Sequence, residues 1–262
     1  MVAPKRRDQI ADQLDEIETE HDVAVLYACE SGSRAWGFPS ADSDYDIRFV
    51  YVHPCDWYLS IDLERRDDTI DPPTEDEMDL HGWDLRKALW LFRTANPTIL
   101  EWLQSPIVYR AHDAVLARWR ELIAEYYPPG ATGPAYRGMA RSIAGQNLGE
   151  EPIPHKAYLY VLRALLAVRW IEHERGPVPV EFERLLDAAT LSADLQAAID
   201  ALLYQKRSGT EQDAGPRLPT IHAFIETELE RQADIHFPES ARPGTGPLNT
   251  FFRSVIDRFP LS

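Results

Sequence analysis

The first part of the chain alternates helical and strand-like patterns. Apolar residues at helical spacing in residues 7–20 predict a charged amphipathic helix. The apolar run 23–28 and the β-branched, aromatic run 44–52 predict two strands. Residues 53–77 are rich in Pro, Asp and Glu, which indicates a long insertion. The remaining predicted elements are a short strand at 77–81, a helix over 84–94, a short helix after Asn96-Pro97 and a last strand at 107–109.

From residue 111 onward the pattern predicts helices only. These helices cover 112–127, 133–146, 154–174, 180–189, 192–206 and 218–234. Pro128-Pro129-Gly130 marks the predicted join between two domains. The fold class is therefore α+β, with a mixed sheet and helices in residues 1–127 and an all-helical domain in residues 131–236. The tail at 237–262 contains several Pro and Gly residues and is expected to be loop-rich.

The first predicted strand leads into a candidate phosphate site. It stops at Gly32-Ser33, and the residues that follow predict a single helical turn. A strand that stops at a glycine and opens a helix presents backbone N–H groups and the positive end of a helix dipole. Phosphates bind at such positions, and the hydroxyl of Ser33 adds another hydrogen-bond donor.

The second predicted strand carries two carboxylates on one face. Side chains two residues apart on a strand share a face, so Asp44 and Asp46 point the same way. The two carboxylates repel each other unless a cation lies between them. Mg²⁺ is the usual cation, because it binds one or two carboxylates together with substrate phosphates. Gly32-Ser33 followed by Asp44-x-Asp46 therefore predicts a nucleotide and metal site.

Composition narrows the class of protein. The chain has 262 residues, of which 44% are hydrophobic, and is long enough for one large domain or two small ones. No apolar run approaches the roughly 18 residues that cross a bilayer, and the N-terminus lacks the apolar region of a secretory signal. Cys29 and Cys55 form neither a disulfide framework nor a metal-binding pattern. We therefore expect a cytoplasmic protein with no membrane partner.

The net charge of −16 bears on the substrate, because 43 acidic residues face 27 basic ones. A protein that holds a long polynucleotide usually has a basic surface. Two explanations remain open. Strong acidity with few lysines suits a protein that works at high salt. Alternatively, the substrate is small or is contacted only at one end.

The motif from Gly32 to Arg48 resembles the signature of the polymerase-β-like nucleotidyltransferases. That superfamily carries Gly-Ser at a helix start and Asp-x-Asp on the next strand. Three later segments, 82–89, 96–103 and 158–163, are similar to the branch predicted to act in RNA repair alongside RNA ligases. The resemblance implies that the N-terminal domain transfers a nucleoside monophosphate from an NTP to a hydroxyl acceptor.

Nucleotidyl transfer requires a third carboxylate besides Asp44 and Asp46. A hydroxyl attacks the α-phosphate in line, and two Mg²⁺ or Mn²⁺ ions about 4 Å apart stabilise the entering and leaving oxygens. We prefer Asp79 as the third catalytic and metal-binding carboxylate, because it lies on a neighbouring predicted strand, as the superfamily's third carboxylate does. Asp84 is the alternative, although an acidic residue at a helix start is expected for capping alone.

Basic residues near these motifs are candidate nucleotide ligands, in addition to Gly32 and Ser33. Arg48 shares the strand face of Asp46, where it either contacts phosphate or pairs with an acidic neighbour. Lys156, Tyr160 and Arg163 fall at i, i+4 and i+7 of one predicted helix. This stripe either binds the β and γ phosphates, with Tyr160 under the base, or is a solvated face. The family resemblance favours a role for Lys156.

The acceptor implied by the resemblance is an RNA 3′ end that is extended without a template. The implied partners are an NTP and, functionally, an RNA ligase or other repair proteins. Arg137 and Arg141 form a weaker basic stripe and are candidate RNA contacts. The alternatives are nucleotidylation of a protein side chain or a small molecule, which the acidity favours, and a catalytically silent nucleotide-binding regulatory module. All candidate carboxylates are present, which argues against the silent module.

Overall fold

A computed structural model describes residues 2–73, 77–128, 130–237 and 243–259. Pro129 of the predicted join, residues 74–76 of the insertion, and residues 238–242 and 260–262 of the predicted tail lie outside the described residues. The chain divides into two compact units. We call the one formed by 1–32, 44–126 and 242–262 the sheet unit, and the one formed by 33–43 and 127–241 the helical unit.

The sheet unit is built on a mixed five-stranded sheet. Its strands are β1 (Ala24–Glu30), β2 (Tyr45–Val52), β3 (Thr69–Ile70), β4 (Met78–Asp84) and β5 (Val108–Ala111). Their order across the sheet is β3-β4-β2-β1-β5. β2 and β4 run parallel, and the other neighbouring pairs are antiparallel. The parallel pair matters most for the site, because it places the beginnings of two strands side by side.

The N-terminal half of the chain also contains several helices. Helices that begin in residues 1–126 are α1 (Pro4–His21), α2 (Gly32–Trp36), α3 (Cys55–Tyr58), α4 (Leu85–Arg93), α5 (Pro97–Leu103), α6 (Asp113–Glu121) and α7 (Ile123–Tyr126). Of these, α2 lies mostly in the helical unit. The predicted apolar stripe of α1 is confirmed, since Ile10, Leu14 and Ile17 are buried in one cluster with Ile47 and Phe49 of β2. This packing fixes which face of β2 is turned into the core.

The helical unit packs its helices around one central helix. Its helices are α8 (Gly133–Asn147), α9 (His155–Glu172), α10 (Phe182–Ala188), α11 (Ala193–Ser208) and α12 (Pro219–Ala233). The predicted core positions Leu159, Leu162 and Leu166 of α9 are buried. The helical unit also contains a two-stranded antiparallel sheet, formed by β6 (Ile153–Pro154) and β7 (Ala214–Gly215). This short sheet is a small addition to the predicted all-helical domain.

The α+β fold predicted from the sequence is confirmed. The predicted loop-rich tail differs from the structure, because α13 (Gly246–Arg258) lies within it and belongs to the sheet unit. Its apolar residues Leu248, Phe251 and Val255 are buried at helical spacing, and a proline in the first turn is compatible with a helix start. Among the described helices, none combines the length and the apolar character that a membrane crossing requires.

Candidate active site

Asp46 and Arg48 lie on the same face of β2. Ile47 and Phe49 are completely buried in the cluster that includes α1. Because side chains alternate along a strand, Asp46 and Arg48 point to the other face, where both are partly exposed. Asp44 lies just before β2 and is exposed. The start of β2 therefore presents carboxylates to solvent next to a guanidinium group.

β4 brings Asp79 beside Asp46. The two strands are parallel and pair Asp46 with Asp79 in register, so the two side chains point to the same face of the sheet. Arg48 Nη2 donates to Oδ1 of Asp46 at 2.8 Å and to Oδ2 of Asp79 at 2.7 Å. Arg48 Nη1 also donates to the carbonyl oxygen of Asp79 at 2.9 Å. Three predicted site residues therefore lie together, with the carboxylates of Asp46 and Asp79 on either side of the Arg48 guanidinium.

Of the two interpretations of Arg48, pairing with acidic neighbours is the one observed. The side chain of Arg48 is 17% exposed, and those of Asp46 and Asp79 are 28% and 40% exposed. One guanidinium neutralises only one of the two carboxylates when both are ionised. The cluster is therefore accessible from solvent, and its two carboxylates share the Arg48 guanidinium.

Gly32 is required by its backbone conformation and by its proximity to Asp46. Its φ of +58° lies in the left-handed region that glycine adopts without a steric penalty. A Cβ at this position would lie 1.9 Å from Oδ2 of Asp46. The neighbouring Ser31 N–H donates to the Asp46 carbonyl at 2.8 Å. The glycine of the predicted motif thus packs its backbone directly against the carboxylate.

The backbone of Asp46 is held by Glu30, a residue that the sequence analysis did not identify. Its side chain is completely buried at the end of β1. Glu30 Oε1 accepts the Asp46 backbone N–H at 2.8 Å, and Oε2 accepts the hydroxyl of Tyr109. A fully buried acid is rare unless its oxygens are satisfied. The only sequence signal is an acidic residue ending an otherwise apolar strand.

Asp84 lies at the opposite end of β4 and has a different environment. Its side chain caps α4 by accepting the Arg86 backbone N–H at 2.7 Å, and it accepts the Tyr58 hydroxyl at 2.6 Å. Burial raises the pKa of this carboxyl to about 6, although the hydrogen bond from Tyr58 opposes the shift. The position therefore matches the capping role considered for Asp84, five residues along the strand from Asp79.

Divalent ions fit the Asp46–Asp79 pair chemically. Carboxylate oxygens are ligands that Mg²⁺ and Mn²⁺ prefer. The positively charged guanidinium of Arg48 already lies between the carboxylates of Asp46 and Asp79. Among the described residues, no three His, Cys, Asp or Glu side chains are close enough to hold a metal ion together. The pair therefore fits an ion that takes its remaining ligands from elsewhere, such as substrate phosphates.

Ser33 belongs to the helical unit, together with the rest of segment 33–43. Ser33 is buried, and its carbonyl oxygen accepts the backbone N–H groups of Gly37 and Phe38 at 3.0 Å each. This turn packs Phe38 against Phe182 of α10, with ring centroids 5.6 Å apart. The second half of the Gly-Ser motif is thus part of the helical unit's core.

A buried ion pair fixes the end of the same segment. Lys206 of α11 is 1% exposed and donates to Ser40 Oγ at 2.9 Å and to Glu211. Glu211 Oε2 also accepts the hydroxyl of Ser43 at 2.8 Å. Burial opposes ionisation of Glu211, but these hydrogen bonds and the Lys206 charge outweigh it and lower the pKa of the carboxyl to about 2.

The predicted stripe on α9 separates into three environments. Lys156 is 40% exposed, and its Nζ lies 3.4 Å from Glu211 Oε1. Tyr160 packs edge-on against Trp36 at 5.0 Å between ring centroids. Arg163 differs from the predicted solvent-facing position, because it is buried and its guanidinium lies 4.5 Å from the Trp36 ring centroid. α9 turns Arg163 into the core, where aromatic packing holds it.

Arg137 also differs from the predicted RNA-facing position. Its Nη1 donates to the carbonyl oxygens of Gln232 and Ile235 at 3.1 and 2.7 Å. Cations at the end of a helix stabilise its unpaired carbonyl groups, and here Arg137 does so at the end of α12. Arg141, one turn later on α8, is exposed. Arg137 is thus half-buried and bonded to carbonyl groups, whereas Arg141 keeps an exposed position.

Comparison with known proteins identifies the family. The RlaP family, described as RNA repair pathway DNA polymerase beta family, matches residues 6–254. The uncharacterized protein YcgL of Bacillus subtilis (strain 168) is 44% identical over 253 residues, which cover 96% of each chain. The family match agrees with the resemblance that the motif from Gly32 to Arg48 indicated. The chain belongs to the RNA repair pathway DNA polymerase beta family.

Proposed function

We propose that the protein is a metal-dependent nucleotidyltransferase that moves a nucleoside monophosphate from an NTP to an RNA 3′ hydroxyl without a template. The observation that carries this proposal is the in-register pair of Asp46 and Asp79, whose carboxylates converge on one cation. Membership of a polymerase-β family supports the reaction class. The RNA-repair description of that family supports RNA as the acceptor.

Asp46 and Asp79, with Asp44 as a further predicted ligand, are the residues that would hold the two Mg²⁺ or Mn²⁺ ions together with substrate phosphates. When bound, such ions activate the attacking hydroxyl and neutralise the charge that develops on the phosphate oxygens. Glu30 holds the backbone of Asp46 in place, and Gly32 leaves room for its carboxylate. Positioning of this kind matters because small displacements of reacting groups reduce the rate strongly.

Arg48 has a role of its own in this proposal. In the absence of a bound cation it keeps two like charges side by side. If Asp46 and Asp79 held a divalent ion, the Arg48 guanidinium would be available to bind a phosphate oxygen, for which its geometry is well suited. Ser33, Lys156 and Tyr160 remain predicted nucleotide contacts, each to be tested by its effect on NTP binding.

The test is incubation of the protein with each α-labelled NTP, Mg²⁺ or Mn²⁺, and a pool of short RNAs, followed by identification of the labelled species. We expect label at RNA 3′ ends with the wild-type protein and none with Asp46→Asn. Asp15→Asn is the matched control, because Asp15 is an acidic residue of the same unit that pairs with Arg110 away from the site.

The outcomes separate the alternatives. Label on RNA that depends on Asp46 supports the proposal. Label that depends on Asp46 but appears on a protein or a small molecule keeps the reaction and rejects RNA as the acceptor. The absence of transfer from every NTP, with nucleotide binding preserved, would identify a silent nucleotide-binding module instead.

A further inference from the structure

The sheet unit contains a large open cavity away from the candidate carboxylates. It has a volume of about 760 Å³ and lies among α4, α13 and the insertion that follows β2. Asp84, at the end of β4, lines it. Asp79 is at the beginning of the same strand, five residues earlier, so the two positions are about 16 Å apart along β4. The cavity is therefore a separate place in the sheet unit.

Two pairs of tryptophan and arginine line this cavity. The guanidinium carbon of Arg66 lies over Trp57, 5.4 Å from the centroid of the indole ring. The guanidinium carbon of Arg93 lies over Trp90, 5.1 Å from that ring's centroid. Trp90 is 57% exposed, which is unusual for so large an apolar ring. Trp57 is also stacked on His53, with ring centroids 3.9 Å apart. The Trp90–Arg93 pair therefore offers the exposed aromatic face beside a delocalised cation, the combination on which nucleic-acid bases and phosphates bind.

The charge of the lining differs from that of the whole chain. Four basic and three acidic side chains line the cavity, in a chain with 27 basic and 43 acidic residues. Asp84, one of the three acids, is buried and committed to capping α4. Arg86 and Lys87 each pair with an acid of the insertion at 2.7 Å. Arg66 pairs with Asp62 of the insertion, so the lining and its direct partners balance in charge, in contrast to the strongly acidic chain as a whole.

We propose that this cavity binds a single-stranded RNA segment upstream of the 3′ end that receives the nucleotide. The proposal rests on the proposed function for its choice of RNA. A base stacks on the exposed ring of Trp90, and the guanidinium group of Arg93 contacts a neighbouring phosphate. A few nucleotides cover the distance to Asp79, and so short a contact explains how an acidic protein binds RNA at all.

The test measures binding of a fluorescein-labelled, single-stranded oligouridylate RNA by anisotropy, in the absence of NTP and divalent ions. Trp90→Ala and Arg93→Gln are compared with the wild-type full chain. Trp170→Ala and Arg175→Gln are the matched controls in the helical unit. Arg175 lies 5.7 Å from the Trp170 ring centroid and donates to one carbonyl oxygen, as Arg93 does. Circular dichroism melts verify that each variant is folded.

We expect Trp90→Ala to weaken RNA binding by about five-fold or more, because one stacked base is lost. Arg93→Gln should reduce the slope of log affinity against log salt by about 0.7, which corresponds to one phosphate of a single strand. The helical-unit controls should bind like the wild type. Asp46→Asn should also keep its RNA affinity, although we expect it to be inactive in nucleotide transfer.

Several results would overturn the inference. Wild-type affinity in Trp90→Ala and Arg93→Gln would do so, and so would an equal loss in the Trp170 and Arg175 controls. No RNA binding by the wild-type protein would also reject it, as would a change in self-association caused by Trp90→Ala without a change in RNA binding. The proposed function is tested separately by the transfer assay, and it fails if no nucleotide reaches an RNA 3′ end, whichever result the cavity variants give.

Discussion

Arg48 and Lys206 each pair with acidic side chains, but in different surroundings. Arg48, in the sheet unit, joins Asp46 and Asp79, which are 28% and 40% exposed. Lys206, in the helical unit, is 1% exposed, and two serine hydroxyls complete the bonding of its partner Glu211. In the first cluster, two partly exposed carboxylates share one guanidinium. In the second, the buried Lys206 and the partly exposed Lys156 share one carboxylate.

This difference distinguishes a cluster built for exchange from one built for structure. A buried ion pair persists only when its remaining polar atoms are satisfied, as those of Lys206 and Glu211 are. Two solvent-accessible carboxylates that share one guanidinium repel each other, and a further cation from solvent relieves that repulsion. We therefore expect changes at Asp46 to affect chemistry and changes at Lys206 to affect folding.

The largest expected effect is on catalysis. Asp46→Asn should reduce nucleotide transfer at least about 100-fold, because a carboxylate that holds the metal contributes several kcal/mol to the transition state. The free energy of unfolding should change by less than about 1 kcal/mol, since the pair with Arg48 is partly exposed and the amide oxygen still accepts. Transfer assays and urea melts measure both. Near-normal turnover would contradict the assignment of Asp46.

The converse variant tests the structural cluster. Lys206→Met should lower the free energy of unfolding by about 3 kcal/mol, the lower end for a broken buried pair, because Glu211 keeps some solvent contact. Adding Glu211→Gln should restore part of the loss. Arg118→Ala, which removes an exposed pair with Glu121, is the control and should cost less than about 1 kcal/mol. An equally small loss for Lys206→Met would show that burial does not distinguish the two clusters.

Asp79 and Asp84 divide catalysis and stability along one strand. Asp79→Ala should abolish turnover and leave NTP binding largely intact, because Asp44 and Asp46 remain. Asp84→Ala should lower the free energy of unfolding by about 0.5–2 kcal/mol, since it removes the cap of α4. Single-turnover assays and denaturant melts separate these effects. The reverse pattern would assign the catalytic role to Asp84.

Arg48→Gln sharpens the role of the resident cation. Without the guanidinium, the two carboxylates repel each other, so the metal-free variant should melt at a lower temperature than the wild type. Mn²⁺ should then raise its melting temperature more than that of the wild type, because no side-chain cation competes. Arg48→Lys keeps the charge and should be intermediate. A smaller Mn²⁺ effect in Arg48→Gln would show that Arg48 does not compete with the metal.

The smallest effect is a pH dependence of stability in the helical unit. The folded-state pKa of Glu211 is lowered to about 2, so its contribution is present at neutral pH and is lost as pH falls from about 4.5 towards 2. The difference in unfolding free energy between the wild type and Glu211→Gln should shrink over that range. Urea melts at several pH values measure it. A constant difference would contradict the charged pair with Lys206.

Local patterns predicted the main strands and the shared face of Asp46 and Arg48, because strand alternation depends on neighbouring residues. Asp79 was preferred because of the family resemblance, and its place beside Asp46 depends on the pairing of β2 with β4. Glu30 was missed because its partners Asp46 and Tyr109 lie 16 and 79 residues away in sequence. Nothing in the chain near Glu30 indicates which backbone it holds. Its role becomes visible only once β1, β2 and β5 lie side by side.

Basic residues were the least predictable part of the site. Arg163 and Arg137 were predicted to contact phosphates because of their helical spacing, yet Arg163 packs on Trp36 and Arg137 bonds the end of α12. Long cationic side chains bind aromatic faces and carbonyl groups as readily as phosphates. Periodicity identifies the face of a helix, but the partner on that face comes from the rest of the fold.

The most direct measurement is Mn²⁺ binding, followed by electron paramagnetic resonance, to the wild type, Asp46→Asn and Glu211→Gln. Asp46→Asn and Glu211→Gln each replace one carboxylate by an amide. The first lies in the cluster around Arg48, and the second lies in the cluster around Lys206. We expect Asp46→Asn to weaken Mn²⁺ binding at least about ten-fold and Glu211→Gln to leave it unchanged. Equal Mn²⁺ affinity for the wild type and Asp46→Asn would contradict the account.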